Sequence, residues 1–410
     1  MNLFNYEVTQ LDNGLRIVVG HRPGDVVYCG LAIDAGTRDQ FPDESGMAHF
    51  TEHMSFKGTT HRRAWHIINR MEAVGGELNA YTGKEHTVYY CSTLRQHFAR
   101  ALELLFDITL HSTYPQREID REVEVVIDEI ESYNDSPSEL IYDDFEALLF
   151  PEHPLGRNIL GDADRLRQYR TEDIQHFTHR LYHPRRMVLF VLGNVKLGQV
   201  ECMAQRMCQT DIDYMQSDNR MAPHCPLSML HSQLDKHTHQ AHVIIGAPSY
   251  PMSDPRHMAL YLLNNLLGGP GMNSRLNVAL RERRGLVYTV ESSLTAYTDT
   301  GAWTTYFGCD HDDVEHCCRL VSAELNRLTD SPLSPAALQA AKRQLKGQAA
   351  LSWENGENVA IAMGRSLLHM GCVQTLESFC EKVDNLTSSQ LLDVAQEIFL
   401  SSRLLTLVYS

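Results

Sequence analysis

His49-Phe50-Thr51-Glu52-His53 carries two histidines four positions apart, with a glutamate directly before the second. On an α-helix, residues four apart lie one above the other on the same face. A helix expected over residues 47–57 therefore aims two imidazoles at one point, and zinc accepts imidazole nitrogen at ~2.0–2.1 Å. Glu52, three residues after His49, falls on nearly the same side. It can reach a water at that point without being a ligand, which is what a general base needs. The order is the inverted zinc-protease pattern H-x-x-E-H. With 21 histidines in 410 residues the pattern alone can also arise by chance, so its meaning depends on what else the chain supplies.

A catalytic zinc takes three protein ligands and keeps one position open for water. Between residues 117 and 131, Ile119, Val123, Val126, Ile127 and Ile130 recur at helical spacing. Glu122 and Glu129 stand seven apart, two turns, and share one face of that helix. Read alone, they form a solvated acidic stripe on an amphipathic helix. Read with the histidines, Glu129 is the candidate third ligand. Glu122 is then a carboxylate that accepts the free N–H of a ligand histidine and fixes its tautomer.

His49, Glu52 and His53 followed by Glu122 and Glu129 resemble the insulinase/pitrilysin-type zinc peptidases in their short two-domain form, which includes the processing-peptidase β-subunits. Glu129 follows the second histidine by 76 residues (129 − 53), within the usual spacing of that family. Leu11-Asp12-Asn13-Gly14-Leu15, Gly75-Gly76-Glu77-Leu78-Asn79-Ala80-Tyr81-Thr82, Glu85-His86-Thr87-Val88-Tyr89-Tyr90, His153-Pro154-Leu155-Gly156 and Ile159-Leu160-Gly161 are similar as well. The resemblance covers nearly the whole chain. It implies a Glu52-assisted peptidase with one Zn2+ per chain, held by His49, His53 and Glu129. It also implies peptide substrates laid as an added strand along Asn79, Ala80 and Tyr81, although locally that segment equally reads as a turn into a strand.

Arg281 and Tyr288 stand in Leu280-Arg281-Glu282-Arg283-Arg284-Gly285-Leu286-Val287-Tyr288, which reads as a helix end near a glycine followed by a strand. A structural reading makes the arginine a surface residue and the tyrosine a strand aromatic. The resemblance implies instead that the pair grips the substrate backbone and its oxyanion, chemistry suited to a guanidinium and a phenol. Because one chain carries both sets, the resemblance further implies a homodimer with composite active sites. A non-catalytic scaffold subunit of the same fold, or one half of a heterodimeric peptidase, are the other readings.

The chain also repeats itself. Met47-Ala48-His49-Phe50-Thr51-Glu52-His53 aligns with Met258-Ala259-Leu260-Tyr261-Leu262-Leu263-Asn264, and Glu129 and Glu122 fall opposite Gln348 and Ala341. Arg185-Arg186-Met187-Val188-Leu189-Phe190-Val191 likewise resembles Arg403-Leu404-Leu405-Thr406-Leu407-Val408-Tyr409. The second copy thus keeps a scaffold without metal residues. Length favours two domains: a zinc domain over 1–207, a polar, turn-rich linker over 208–229, and a degenerate repeat over 230–410. The expected class is α+β, each domain a mostly antiparallel sheet with helices packed on it. Strands are expected at 15–19, 28–33, 87–94 and 181–191, helices at 64–74 and 96–110, and an acidic segment at 135–146. Gly268-Gly269-Pro270-Gly271 lacks the Lys-Ser/Thr pair of a phosphate loop.

Composition excludes several classes. A hydrophobic content of 43% and a mean hydropathy of −0.30 describe a soluble globular protein. No apolar run approaches the ~18 residues that a membrane span needs. A formal charge of −16, from 52 acidic and 36 basic side chains, argues against nucleic acid. Ten scattered cysteines with no metal-ligand spacing read as reduced thiols, and residues 1–7 lack the regions of a signal peptide, so a cytoplasmic location is expected.

Overall fold

Two mixed sheets, one per repeat, organise the chain, whose computed structural model describes residues 5–208, 220–223 and 231–410. The first sheet contains β1 (Tyr6–Gln10), β2 (Arg16–His21), β3 (Val26–Ile33), β4 (Glu77–Thr82), β5 (Thr87–Leu94) and β6 (Met187–Gly193). The second contains β7 (His231–Leu234), β8 (Ala241–Ser249), β9 (Val287–Ala296), β10 (Gly301–Cys309) and β11 (Leu405–Tyr409). Their orders are β1-β2-β6-β3-β5-β4 and β7-β11-β8-β10-β9. The run β6-β3-β5-β4 therefore recurs as β11-β8-β10-β9, which is the sequence repeat written in topology. Every pairing is antiparallel except β2 with β6 and β7 with β11. The α+β class with two similar, mostly antiparallel domains is as the sequence led one to expect.

The backbone segregates into two compact units. One comprises Met1–Glu131, Arg157–Arg220 and Leu351–Glu377; the other comprises Ser132–Gly156, Met221–Ala350 and Ser378–Ser410. In the first, Met47, Phe50, Met54, Leu105, Val126 and Phe177 come from four helices and bury against Val19, Leu31 and Leu189 of the sheet. The opposite face of that sheet is covered from far along the chain. Helix Gly356–Met370 lays Val359, Ala360, Met363 and Leu367 on Val18, Ala32, Val88, Val188 and Phe190. Strand β6, covered on both sides, is buried along its whole length and is accordingly a continuous apolar run. The approach is close enough to require glycine: a Cβ at Gly364 would meet the Phe190 ring well inside van der Waals contact.

The second unit mirrors this plan. Leu260, Leu263, Val321, Leu345 and Leu391 pack with Trp303 on one face of its sheet. Helix Pro137–Leu149 covers the other face, setting Leu140, Ile141, Phe145 and Leu149 against Ile244, Tyr306, Leu405 and Tyr409. The two repeats thus exchange one helix each, so the compact units cut across the sequence division at 1–207 and 230–410.

Two local expectations change. The segment expected as a strand over 181–191 is helical as far as Leu181, then turns through Pro184–Arg186, and only Met187–Gly193 is strand. Pro184 has no N–H to give a ladder, so pairing starts after it. The acidic segment 135–146 is the exchanged helix Pro137–Leu149, with proline in its first turn. Of the linker expected over 208–229, only Cys208 and residues 220–223 lie among the described residues.

Candidate metal centre

Helix Met47–Ser55 is short and almost wholly buried. Phe50 and Met54 anchor it in the core, leaving His49, Glu52 and His53 together on the other side. Gly46 precedes it in the left-handed region (φ 79°), where a Cβ would also lie 2.6 Å from the Leu160 carbonyl oxygen. Glu122 and Glu129 come from the 19-residue helix Gln116–Asn134, anchored by Ile119, Val123, Val126 and Ile127.

These elements bring three ligand atoms together. His49 Nε2 lies 3.8 Å from Glu129 Oε1, and His53 Nε2 lies 3.6 Å from Glu129 Oε2. All three residues offer atoms within 4.8 Å of one another. Two donors each bonded at ~2.1 Å to one tetrahedral ion stand roughly 3.4 Å apart. The observed spacing therefore fits a zinc-sized ion with small side-chain adjustments. The imidazole rings meet edge to face, their centroids 4.6 Å apart. The Glu129 side chain is 44% exposed, so the point of convergence is open to solvent on its side.

The surrounding charges prepare the donors. Burial, with His53 beside it, pushes the His49 imidazole down to about 3, so the ring is neutral and has a lone pair to give. Its Nδ1 is buried without a hydrogen-bond partner among the described residues. His53 Nδ1 lies 3.0 Å from Glu122 Oε1, which places a proton on Nδ1 and turns Nε2 toward Glu129. Burial opposes charge on His53, but the Glu122 hydrogen bond and the fields of Glu52, Glu122 and Glu129 outweigh it and raise its pKa. Glu122 shows the converse: burial would raise it, but His53 and Lys57, whose Nζ is 2.6 Å from Glu122 Oε2, hold it below the usual carboxylate range.

Glu52 is 9% exposed, and burial raises its carboxyl above the usual range against the opposing pull of one hydrogen bond. That bond comes from Thr82 Oγ1, which donates to Glu52 Oε2 at 2.5 Å. Thr82 ends β4, the strand at one end of the sheet order, whose described ladder runs only to β5. Asn79 is exposed there, and Ala80 and Tyr81 are half-buried.

His49, Glu52, His53, Glu122 and Glu129 are thus brought together. Arg281 and Tyr288 belong to the second unit, where both line one cleft of about 400 Å³ with Asn264 and the loop Gly268 to Gly271. Tyr288 is 83% exposed. In the counterpart of the histidine helix, Leu260 and Leu263 are core residues, and the Asn264 amide nitrogen donates to the Ser292 carbonyl at 3.1 Å. Among the described residues no second metal-ligand group occurs. The sequence reading missed Lys57 and the role of Thr82. The helix expected over 47–57 ends at Ser55, so Lys57 lies past it and helical spacing from His53 did not point to Glu122. The Thr82–Glu52 bond joins residues thirty apart and left no local signal.

Comparison with known proteins places the whole chain in one family. The family model described as insulinase (peptidase family M16) matches residues 16–163, and that described as the peptidase M16 inactive domain matches residues 170–345. A protein of Bacillus subtilis named as an uncharacterized zinc protease is 30% identical over 97% of this chain and 96% of its own length. One of Mycobacterium leprae, named in the same way, is 31% identical over 95% of this chain and 88% of its own. Among solved structures, a protease from Helicobacter pylori superposes with a TM-score of 0.92 at 23% identity, covering both chains fully. A Pseudomonas fluorescens structure described as a peptidase M16 inactive domain gives 0.90 at 19% identity, over 99% of this chain and 97% of its own.

Proposed function

The chain belongs to the insulinase (M16) peptidase family, and on that premise we propose that it is a zinc-dependent endopeptidase acting on peptides or unfolded segments. The observation that carries the proposal is the convergence of His49 Nε2, His53 Nε2 and the Glu129 carboxylate. Two imidazoles and one carboxylate are a donor set of the kind found in zinc hydrolases. These three residues would hold one Zn2+ per chain. When bound, the ion supplies a Lewis acid for the scissile carbonyl and acidifies a water.

The chain's own groups do the rest. Glu52, its basicity raised by burial, takes the proton of the attacking water and delivers it to the departing amide nitrogen. Thr82 holds Glu52 Oε2, leaving Oε1 for that transfer. Glu122 keeps the His53 proton on Nδ1, with Lys57 balancing its charge. The substrate adds as a strand to the edge of β4 at Asn79, Ala80 and Tyr81, where main-chain bonds supply affinity with little sequence demand. Arg281 grips substrate carbonyls, and Tyr288 donates to the developing oxyanion. The proposed assembly is a homodimer in which Arg281 and Tyr288 of one protomer complete the site of its partner. The proposed setting is the cytoplasm, where the described cysteines, none of them in a disulfide, would stay thiols.

No helix among the described residues is long and apolar enough to cross a membrane. Cleavage of an unstructured peptide by the purified chain, abolished by a chelator and restored by zinc, tests the proposal. Size-exclusion mass with activity of the chain alone separates it from a scaffold subunit or half of a heterodimer.

A further inference from the structure

Arg220 stands in the segment between the repeats, yet its side chain is only 19% exposed in the first unit. Nε and Nη2 donate to Asp39 Oδ1 and Oδ2 at 3.0 and 2.8 Å. Nη2 also lies 2.8 Å from Asp34 Oδ1 and donates to the Glu85 carbonyl at 3.2 Å. One side chain thus spans two segments, the loop 34–40 and the turn 83–86.

Those segments are already joined. Thr37 N donates to the Gly83 carbonyl at 3.3 Å and Arg38 N to the Lys84 carbonyl at 2.8 Å. Arg38 Nη1 reaches Glu85 Oε1 at 2.7 Å. Both lead directly to the reactive geometry. The turn begins one residue after Thr82, the partner of Glu52. The loop ends at Gln40, whose Oε1 accepts from Ala48 N at 2.9 Å, at the start of the helix that carries His49, Glu52 and His53. Three carboxylates, Asp34, Asp39 and Glu85, converge on this junction. Without Arg220, Asp39 keeps Arg186 at 3.7 Å and the Gly36 amide at 3.0 Å. A buried carboxylate that loses its closest cation rearranges its surroundings.

We infer that Arg220 is a positioning residue, which from the inter-repeat segment fixes the turn 83–86 against the loop 34–40 and so holds Thr82 on Glu52. Its kinetic consequence rests on the peptidase reading; its structural consequence does not. In the zinc-loaded full chain, Arg220→Met lowers kcat about tenfold with KM and bound zinc nearly unchanged, and Arg220→Lys recovers part of the loss. In a cycle with Thr82→Val, the double variant is no slower than Thr82→Val alone by more than about twofold, because both changes act through one bond. An unchanged kcat in Arg220→Met, or losses that multiply in the double variant, overturns the inference. Hydrogen exchange of the metal-free chain decides it without any activity: amides of 34–40 and 82–87 exchange faster in Arg220→Met while those of β6 do not. Unchanged or uniformly faster exchange overturns it. Should the methionine variant not fold, the same local comparison in Arg220→Lys decides in its place. A wild-type chain that cleaves nothing would sink the peptidase reading and leave the exchange result standing.

Discussion

His53 and Glu122 are joined at 3.0 Å through the imidazole Nδ1, and the second Glu122 oxygen is held by Lys57 at 2.6 Å. The contact therefore keeps a proton on Nδ1 and fixes the ring with Nε2 turned toward Glu129. Carboxylates in this position typically contribute about 10–100-fold to metal affinity. Glu122→Gln is expected to weaken zinc binding by that factor with the fold intact, measured by competition with a chromophoric chelator. Equal affinity in both proteins would show that the contact does not prepare the site.

Substrate addition at β4 predicts a separation between binding and metal. Proline at position 80 removes a main-chain donor and restricts the strand. Ala80→Pro is expected to raise KM at least tenfold (about 1.4 kcal/mol) while bound zinc stays at one per chain. Parallel loss of zinc and activity would indicate misfolding of the edge instead.

A composite site predicts complementation. Glu52→Gln and Tyr288→Phe are each expected to be nearly inactive alone. Mixed, with subunit exchange shown by differently tagged chains, they should recover up to about a quarter of wild-type activity, the share of intact sites in randomly reassorted dimers. No recovery despite exchange would mean that each chain completes its own site, or that Tyr288 lies outside it.

Gly364 tests the exchanged helix. In an ordinary helix, alanine for glycine stabilises by about 0.5–1 kcal/mol. Here the added Cβ runs into Phe190, which is 1% exposed and has no room to withdraw. Overpacking of this kind costs about 1–3 kcal/mol and wins. Gly364→Ala should lower the thermal midpoint by a few degrees, read by calorimetry. A higher midpoint would contradict the close packing.

The sequence disclosed the histidine helix because a four-residue spacing on a helix has one geometric meaning. Glu129 became visible only in combination, since its own helix reads equally well as solvated. The repeat was legible in the paired segments at Met47 and Met258 and recurs as strand order. What stayed hidden was long-range. The stripe Leu140, Ile141, Phe145 and Leu149 was masked by acidic neighbours, and nothing local tells helices Pro137–Leu149 and Gly356–Met370 which sheet to cover. The same holds for Thr82 and Arg220, whose partners are distant in the chain.

The most direct test combines metal analysis with peptide cleavage for the wild-type chain and Glu52→Gln. One bound zinc is expected in both proteins and cleavage by the wild type alone, with the variant slower by at least about 10²-fold. Absence of zinc from a folded wild-type chain offered the metal, or undiminished cleavage by Glu52→Gln, would contradict it.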